Sequence, residues 1–242
     1  RYGLMCNEHG MIFDDGVTSG LGENHYHMTT TTGGAARVMS WLEEFLQTEW
    51  LDMQVFCTSV TEQWAVLSIS GPNARNFLAD LTDIDLSKES FPFMKFREGK
   101  VCGVDARVFR ISFTGELAFE INVPARYGDY VWNEFMNHGK KYNITPYGTE
   151  AMHVLRAEKG FIIVGQDTDG SVTPYDLNMD WIVSKKKEDF LGKRSFSRAD
   201  TSRNDRKKLV GLLVNDKTTV LPEGSHVVEK AKSQPPMKML GH

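Results

Sequence analysis

The sequence predicts an α+β fold, and three observations predict it. Short runs of alternating polarity, broken by Gly, Asn and Glu turns, fall into two antiparallel sets instead of alternating singly with helices. Between and after them lie stretches with apolar residues at helical spacing, clearest at Ala35, Val38, Met39, Leu42, Phe45 and Leu46. Finally, "SGLGENH" lacks the third glycine of a dinucleotide fingerprint and opens no βαβ unit, which removes the commonest parallel-sheet alternative.

The elements follow in order. "RYGLMC", "GMIFDDGVTS" and "NHYHMTT" read as strands, and "AARVMSWLEEFLQTEW" reads as the first helix. Two short strands around "TEQW" suggest a hairpin. A helix is expected after Gly71-Pro72, because proline suits a first helical turn and Ala74, Phe77, Leu78 and Leu81 repeat on one side. "KVCGVDARVFRISF" and "LAFEINVP" form the second antiparallel set, before the helices "RYGDYVWNEFMNHG" and, roughly, residues 149–159. The polar, aperiodic stretch "SRADTSRNDRKK" reads as a linker, with "KLVGLLVND" and "SHVVEKA" starting a final β region.

Composition narrows the function. With 242 residues, 40% of them hydrophobic, the chain can bury one large core or two to three intertwined small ones. A net charge of -4 gives no broad footprint for nucleic acid. No apolar run approaches a membrane span and no signal-peptide layout is present, so a cytoplasmic location is expected, without a membrane partner. Cys6, Cys57 and Cys102 include no CxxC pair and suit a reducing compartment. No metal site is expected: His25 and His27 share a strand face, but the histidines show no other ligand-like spacing. The chain opens on Arg1 within strand sequence and ends on "PPMKMLGH", which reads as a piece of a longer polypeptide.

Two carboxylates stand out. In a strand over residues 11–17, Met11, Phe13, Asp15 and Val17 share one face while Ile12, Asp14 and Gly16 share the other. Asp15 therefore sits among three apolar side chains, where an ionised carboxylate is costly unless a cation or donors meet it. Asp14 falls on the sparser face. On the helix of residues 149–159, Ala151, Leu155 and Glu158 follow at i, i+4 and i+7, so Glu158 extends an apolar stripe. It is either a solvated last-turn residue or an inward carboxylate able to accept two parallel N–H bonds. "TTTTGG" could hold an anion on free N–H groups, but a threonine cap before a glycine turn explains it more simply.

These residues carry a resemblance. "CNEHGMIFDDGV", "LSISGPNAR", "RISFTGELAFEINVP" and "LRAEKGFIIVGQDTDGSVTPYDLNMDWIVSKKKEDFLGKRSF" resemble, in order, motifs of the folate-dependent aminomethyltransferase family, the glycine-cleavage T-protein and its relatives. "TTTTGGAARVMSWLEEFLQTEW" and "FTGELAFE" look like the branch formed by the C-terminal folate-binding region of the α subunit of heterotetrameric sarcosine oxidase. Phe113 stands where T-proteins typically carry a tyrosine.

The resemblance implies interleaved subdomains, roughly 1–50 with 145–205 and 51–144, forming a folate-binding region over 1–205. The truncated start of a β-barrel domain would follow at 206–242. It implies tetrahydrofolate as the ligand, with flavin and NAD elsewhere in a complex made by the remaining α-subunit region and other subunits. The implied reaction is capture by tetrahydrofolate of the imine made from sarcosine, giving 5,10-methylenetetrahydrofolate and glycine. Asp15 falls on the family's aspartate facing the reactive region of the folate, Glu158 on the pterin-gripping glutamate, and Thr29 on an asparagine near the folate. A free-standing aminomethyltransferase or demethylase, or a non-catalytic folate- or partner-binding module, is the alternative.

Overall fold

The computed structural model describes residues 1–222, 224–231 and 234–242. It is an α+β protein whose residues divide into two compact units, Arg1–Met5 with Phe13–Asp169 and Cys6–Ile12 with Gly170–His242.

The first unit holds the main core. A four-stranded sheet runs in the order β4-β7-β6-β5, with β4 Trp64–Ser70, β5 Phe96–Val101, β6 Val104–Phe109 and β7 Ala118–Pro124. Its pairs are antiparallel, with Leu67 opposite Ile121 and Val108 opposite Ile121 fixing the register. Alternation sends Phe119, Ile121 and Val123 to one face, all fully buried with Val108, Val131 and Leu78. The helices α2 Ala74–Ala79 and α3 Gly128–His138 contribute Phe77 and Phe135, whose rings meet edge-to-face at 5.1 Å. Truncating Phe77 to alanine would cost about 3–5 kcal/mol.

A three-stranded sheet, ordered β1-β2-β3, is built from β1 Tyr2–Cys6, β2 Ile12–Gly22 and β3 His25–Met28. The helix α1, Ala35–Thr48, is anchored on β2 by side chains the helical period selects: Trp41 lies 4.9 Å from Phe13, and Phe45 lies 5.0 Å from Trp41. The last helix, α4, spans Thr149–Glu158.

Three expectations need correcting. Around "TEQW" there is no hairpin: Thr61–Gln63 is a single 3₁₀ turn leading into β4, whose partner is β7, far along the chain. Local polarity cannot report a long-range pairing. The proposed linker is anchored: Thr201 is buried, and Arg206 bonds Asp176 through Nε at 2.9 Å and Nη2 at 2.7 Å. A charged, aperiodic stretch reads as solvated chain when its partner acid lies 30 residues away. "KLVGLLVND" forms no strand; among the described residues of 206–242 the strands are β8 Val227–Val228 and β9 Met239–Gly241, one antiparallel pair and no closed barrel. No helix among the described residues is long and apolar enough to cross a membrane.

Candidate functional site

The acid pair on β2 separates into two different environments. Asp14, not Asp15, is the fully buried member, sharing its face with buried Ile12. Both faces of β2 are covered to some degree: Met11, Phe13 and Asp15 are half-buried on one, and Ile12 and Asp14 are buried on the other, which had looked the sparser. Asp14 Oδ1 accepts the N–H groups of Asp15 at 2.8 Å and Thr31 at 3.0 Å, and Oδ2 accepts the Thr31 hydroxyl at 3.1 Å. Arg37 Nη2 stands 3.5 Å from the same Oδ2. A Cβ on Gly34 would overlap that oxygen, and one on Gly16 would overlap the Thr29 carbonyl. "DDG" and "TTTTGG" are thus two halves of one joint, which turns the chain from β3 into α1.

Asp15 is left half-buried beside this joint. Its Oδ2 accepts the hydroxyl of Tyr2 on β1 at 2.7 Å, and Oδ1 has no donor among the described residues. Burial raises the Asp15 carboxyl above the ordinary aspartate range; the Tyr2 hydrogen bond works against that, and the neighbouring Asp14 charge adds to it. The Tyr2 phenol is likewise pushed up, by burial first and by the Asp15 charge second, so it stays a donor at neutral pH. The geometry makes a carboxylate with one oxygen oriented and the other free to meet a proton or a developing cation.

Thr29 is exposed, and its hydroxyl is engaged by the backbone: Oγ1 lies 3.1 Å from the Val17 nitrogen, while the Thr29 N–H donates to the Val17 carbonyl at 3.0 Å.

On α4 the expected inward stripe is not inward. Ala151 and Glu158 are both exposed, and the buried residue is Arg156. Arg156 is drawn in because it pairs with Asp167, which also accepts the Ile163 N–H at 2.8 Å, and donates to the Phe161 carbonyl at 3.1 Å. The pairing of buried Arg156 with partly buried Asp167 sets the inward side of the helix where hydrophobic spacing pointed elsewhere. Glu158 therefore stands on the accessible surface. Its neighbour Lys159 reaches Glu116 at 3.5 Å, so the end of α4 meets the "FTGE" loop, in which Thr114 is buried and Phe113 partly exposed. No hydrogen bond or ion pair among the described residues joins Asp15 to Glu158.

Tyr2 is the site residue that sequence reasoning passed over. Its only signal is a tyrosine near the start of the strand preceding the acids, and strand register, which spacing does not give, decides whether it meets Asp15. Among the described residues no cluster of three or more His, Cys, Asp or Glu side chains could hold a metal ion.

This architecture, a helix-backed antiparallel sheet with a second sheet carrying the acid pair, is that of the glycine-cleavage T-protein class. Residues 1–187 match the family described as the GCVT N-terminal domain, and the chain belongs to that family. It is 58% identical over 230 residues to the sarcosine oxidase subunit alpha of Corynebacterium sp. (strain U-96), covering 94% of this chain and 24% of that one. To the aminomethyltransferase of Thermotoga maritima it is 30% identical over 216 residues, 89% of this chain and 57% of that one. The solved aminomethyltransferase T of the glycine cleavage system from Bartonella henselae superposes with a TM-score of 0.68 at 26% identity, covering 81% of this chain and 51% of that one. The chain thus spans about a quarter of the length of the sarcosine oxidase α subunit it matches.

Proposed function

We propose that this chain is the folate-binding, one-carbon-transfer part of a sarcosine oxidase α subunit, working in a cytoplasmic heterotetrameric complex whose flavin and NAD sites lie outside it. Membership of the GCVT family and the 58% identity to a sarcosine oxidase α subunit support the class. The single observation that carries the chemistry is the half-buried Asp15, held through one oxygen by Tyr2 and open at the other.

In this reading tetrahydrofolate is a substrate that supplies a nucleophilic amine to the methylene carbon of the imine formed from sarcosine. Asp15, ionised, faces the cationic carbon–nitrogen centre and lowers the energy of its approach. The same carboxylate takes a proton from the attacking amine and returns it to the departing nitrogen, which leaves as glycine; a second folate nitrogen then closes on the carbon and gives up its proton to complete the methylene bridge. Tyr2 holds the carboxylate in place. Glu158, accessible at the end of α4, accepts two parallel N–H bonds from the pterin and orients the ring, so that the attack is positioned. An exposed carboxylate suits that task, since a buried one would already be committed, as Asp14 is. Thr29 lies beside this region with its hydroxyl on the Val17 backbone, and we assign it a minor contact with the folate. Residues 1–205 would form the folate-binding region with interleaved subdomains, and 206–242 would belong to a further β domain.

The test is methylene transfer measured in the intact oxidase. Sarcosine turnover with tetrahydrofolate present should yield 5,10-methylenetetrahydrofolate in place of formaldehyde, and Asp15→Asn should restore formaldehyde release without slowing sarcosine oxidation. Unchanged formaldehyde yield with and without tetrahydrofolate in the wild type would reject the reading.

A further inference from the structure

The search beyond the acid pair converges on two arginines. Arg75 on α2 and Arg110 just after β6 both lie against the ring of fully buried Phe119, with guanidinium carbons 5.6 and 5.3 Å from its centroid. Arg110 also lies 5.6 Å from the Phe93 ring. Among the described residues neither arginine has a carboxylate within ion-pair distance. Arg110 spends one donor on the Ala118 carbonyl, from Nη1 at 3.0 Å. Arg110 Nε, Arg75 Nη1 and the hydroxyl of Ser112 are buried with no acceptor among the described residues. Aromatic faces attract cations, but they do not satisfy N–H donors, and two guanidiniums sharing one ring repel each other. Burial and the nearby Arg75 charge weaken the hold of Arg110 on its proton, which is the mark of an uncompensated pair.

Elsewhere in the molecule such charges are neutralised: Arg206 has Asp176, Arg156 has Asp167 and Arg107 has Glu98. From this contrast we propose that Arg75 and Arg110 form a receptor for a carboxylate. A planar carboxylate matches the fork of a guanidinium edge and has two oxygens to divide between two arginines. Both side chains are only partly buried, so the pair is not sealed from solvent. The carboxylate can belong to a free small acid or to the glutamate tail of a folate, and the experiment separates the two.

The arginine Nε–H cross-peaks of the ¹⁵N-labelled chain would be followed by NMR while sodium acetate is added at constant ionic strength against sodium chloride. Saturable shifts of the Arg110 and Arg75 signals are expected. Arg75→Gln should weaken the acetate midpoint about tenfold, the loss of one charge-assisted contact, and Arg110→Gln should do the same. Arg75→Lys, which keeps the charge and loses the fork, should fall between. The remaining cross-peaks report whether each variant is folded.

With acetate bound, 5-formyltetrahydrofolate is then added, and in a parallel sample its α,γ-diamide, in which both glutamate carboxylates are amides. Displacement by the first alone assigns the site to the folate tail, whereas no displacement by either assigns it to a free carboxylate. Linear, unsaturated shifts with acetate would overturn the proposal. So would equal midpoints in wild type and both glutamine variants, or tighter saturation by inorganic phosphate than by acetate. The acetate arm needs no folate binding, so its failure and the failure of the folate reading are told apart.

Discussion

Two carboxylate-bearing regions of this molecule, the joint on β2 and the end of α4, solve opposite problems. On β2 the buried acid, Asp14, is saturated by Asp15, Thr31 and Arg37, and it holds the chain in shape. Its neighbour Asp15 keeps one oxygen free because Tyr2 takes only the other. On α4 the buried partner is a base: Arg156 absorbs Asp167, and Glu158 two residues on is left exposed. In each region a buried, paired charge fixes the backbone beside a carboxylate with room for a further partner. The difference lies in surroundings, for Asp15 is half desolvated and suited to proton and charge work, whereas Glu158 is open and suited to gripping.

The contrast is sharpest in transfer activity. Asp15→Asn should lower methylene transfer on the order of 10²-fold or more, since it removes an acid–base and electrostatic group. Far-ultraviolet circular dichroism should show the fold retained. If Asp14→Asn cost as much transfer in a protein that stayed folded while Asp15→Asn was harmless, the division of labour on β2 would be reversed.

Glu158→Gln should act on binding alone. An amide accepts one of two ring N–H donors and presents a donor where the second acceptor is needed, so tetrahydrofolate affinity should fall by roughly 2–3 kcal/mol. Stability should move by less than about 0.5 kcal/mol, as exposed positions usually do. Titration of a stable tetrahydrofolate analogue against both forms decides it: equal dissociation constants would leave Glu158 a plain surface residue.

Asp14→Asn belongs to stability. The amide cannot accept from all of Asp15 N, Thr31 N and Thr31 Oγ1 as the carboxylate does, and a loss of about 1–3 kcal/mol in urea unfolding is expected. Wild-type stability in that variant would mean the joint is held by the close approach at Gly34 alone.

Much of this was legible in the sequence. The strands β1 to β3, the helices α1 to α4 and the strands β6 and β7 follow from periodicity, because each buries one face of a regular element; most of β5, Phe96–Val101, lies before the stretch read as the second strand set. The acid pair and Glu158 were visible as carboxylates among apolar neighbours. Their burial was not, since it depends on partners 13 to 17 residues away, Tyr2 and Thr31, or on Asp167 reorienting α4. Alternation names a face but not what covers it. Family resemblance points to Asp15 by a different route, through its place in the "DDG" motif and not through burial.

The smallest effect, and the most diagnostic, is the pH response at Asp15. Its folded-state carboxyl lies above the ordinary range, so as pH rises the unfolded chain releases this proton first and the native state loses stability through that window. Above the folded-state value the penalty is complete; below the ordinary aspartate range it vanishes. Asp15→Asn should therefore melt slightly higher than wild type at neutral pH, with the two curves converging as the solution is acidified. Tyr2→Phe works in the other direction, because the Tyr2 hydrogen bond favours the ionised form and its loss raises the carboxyl further. If transfer requires the carboxylate, the acid limb of its pH profile should move to higher pH in Tyr2→Phe, while the rate at the alkaline plateau stays near wild type. An acid limb that stays in place with a lowered plateau would make Tyr2 a participant in the reaction and not the holder of Asp15.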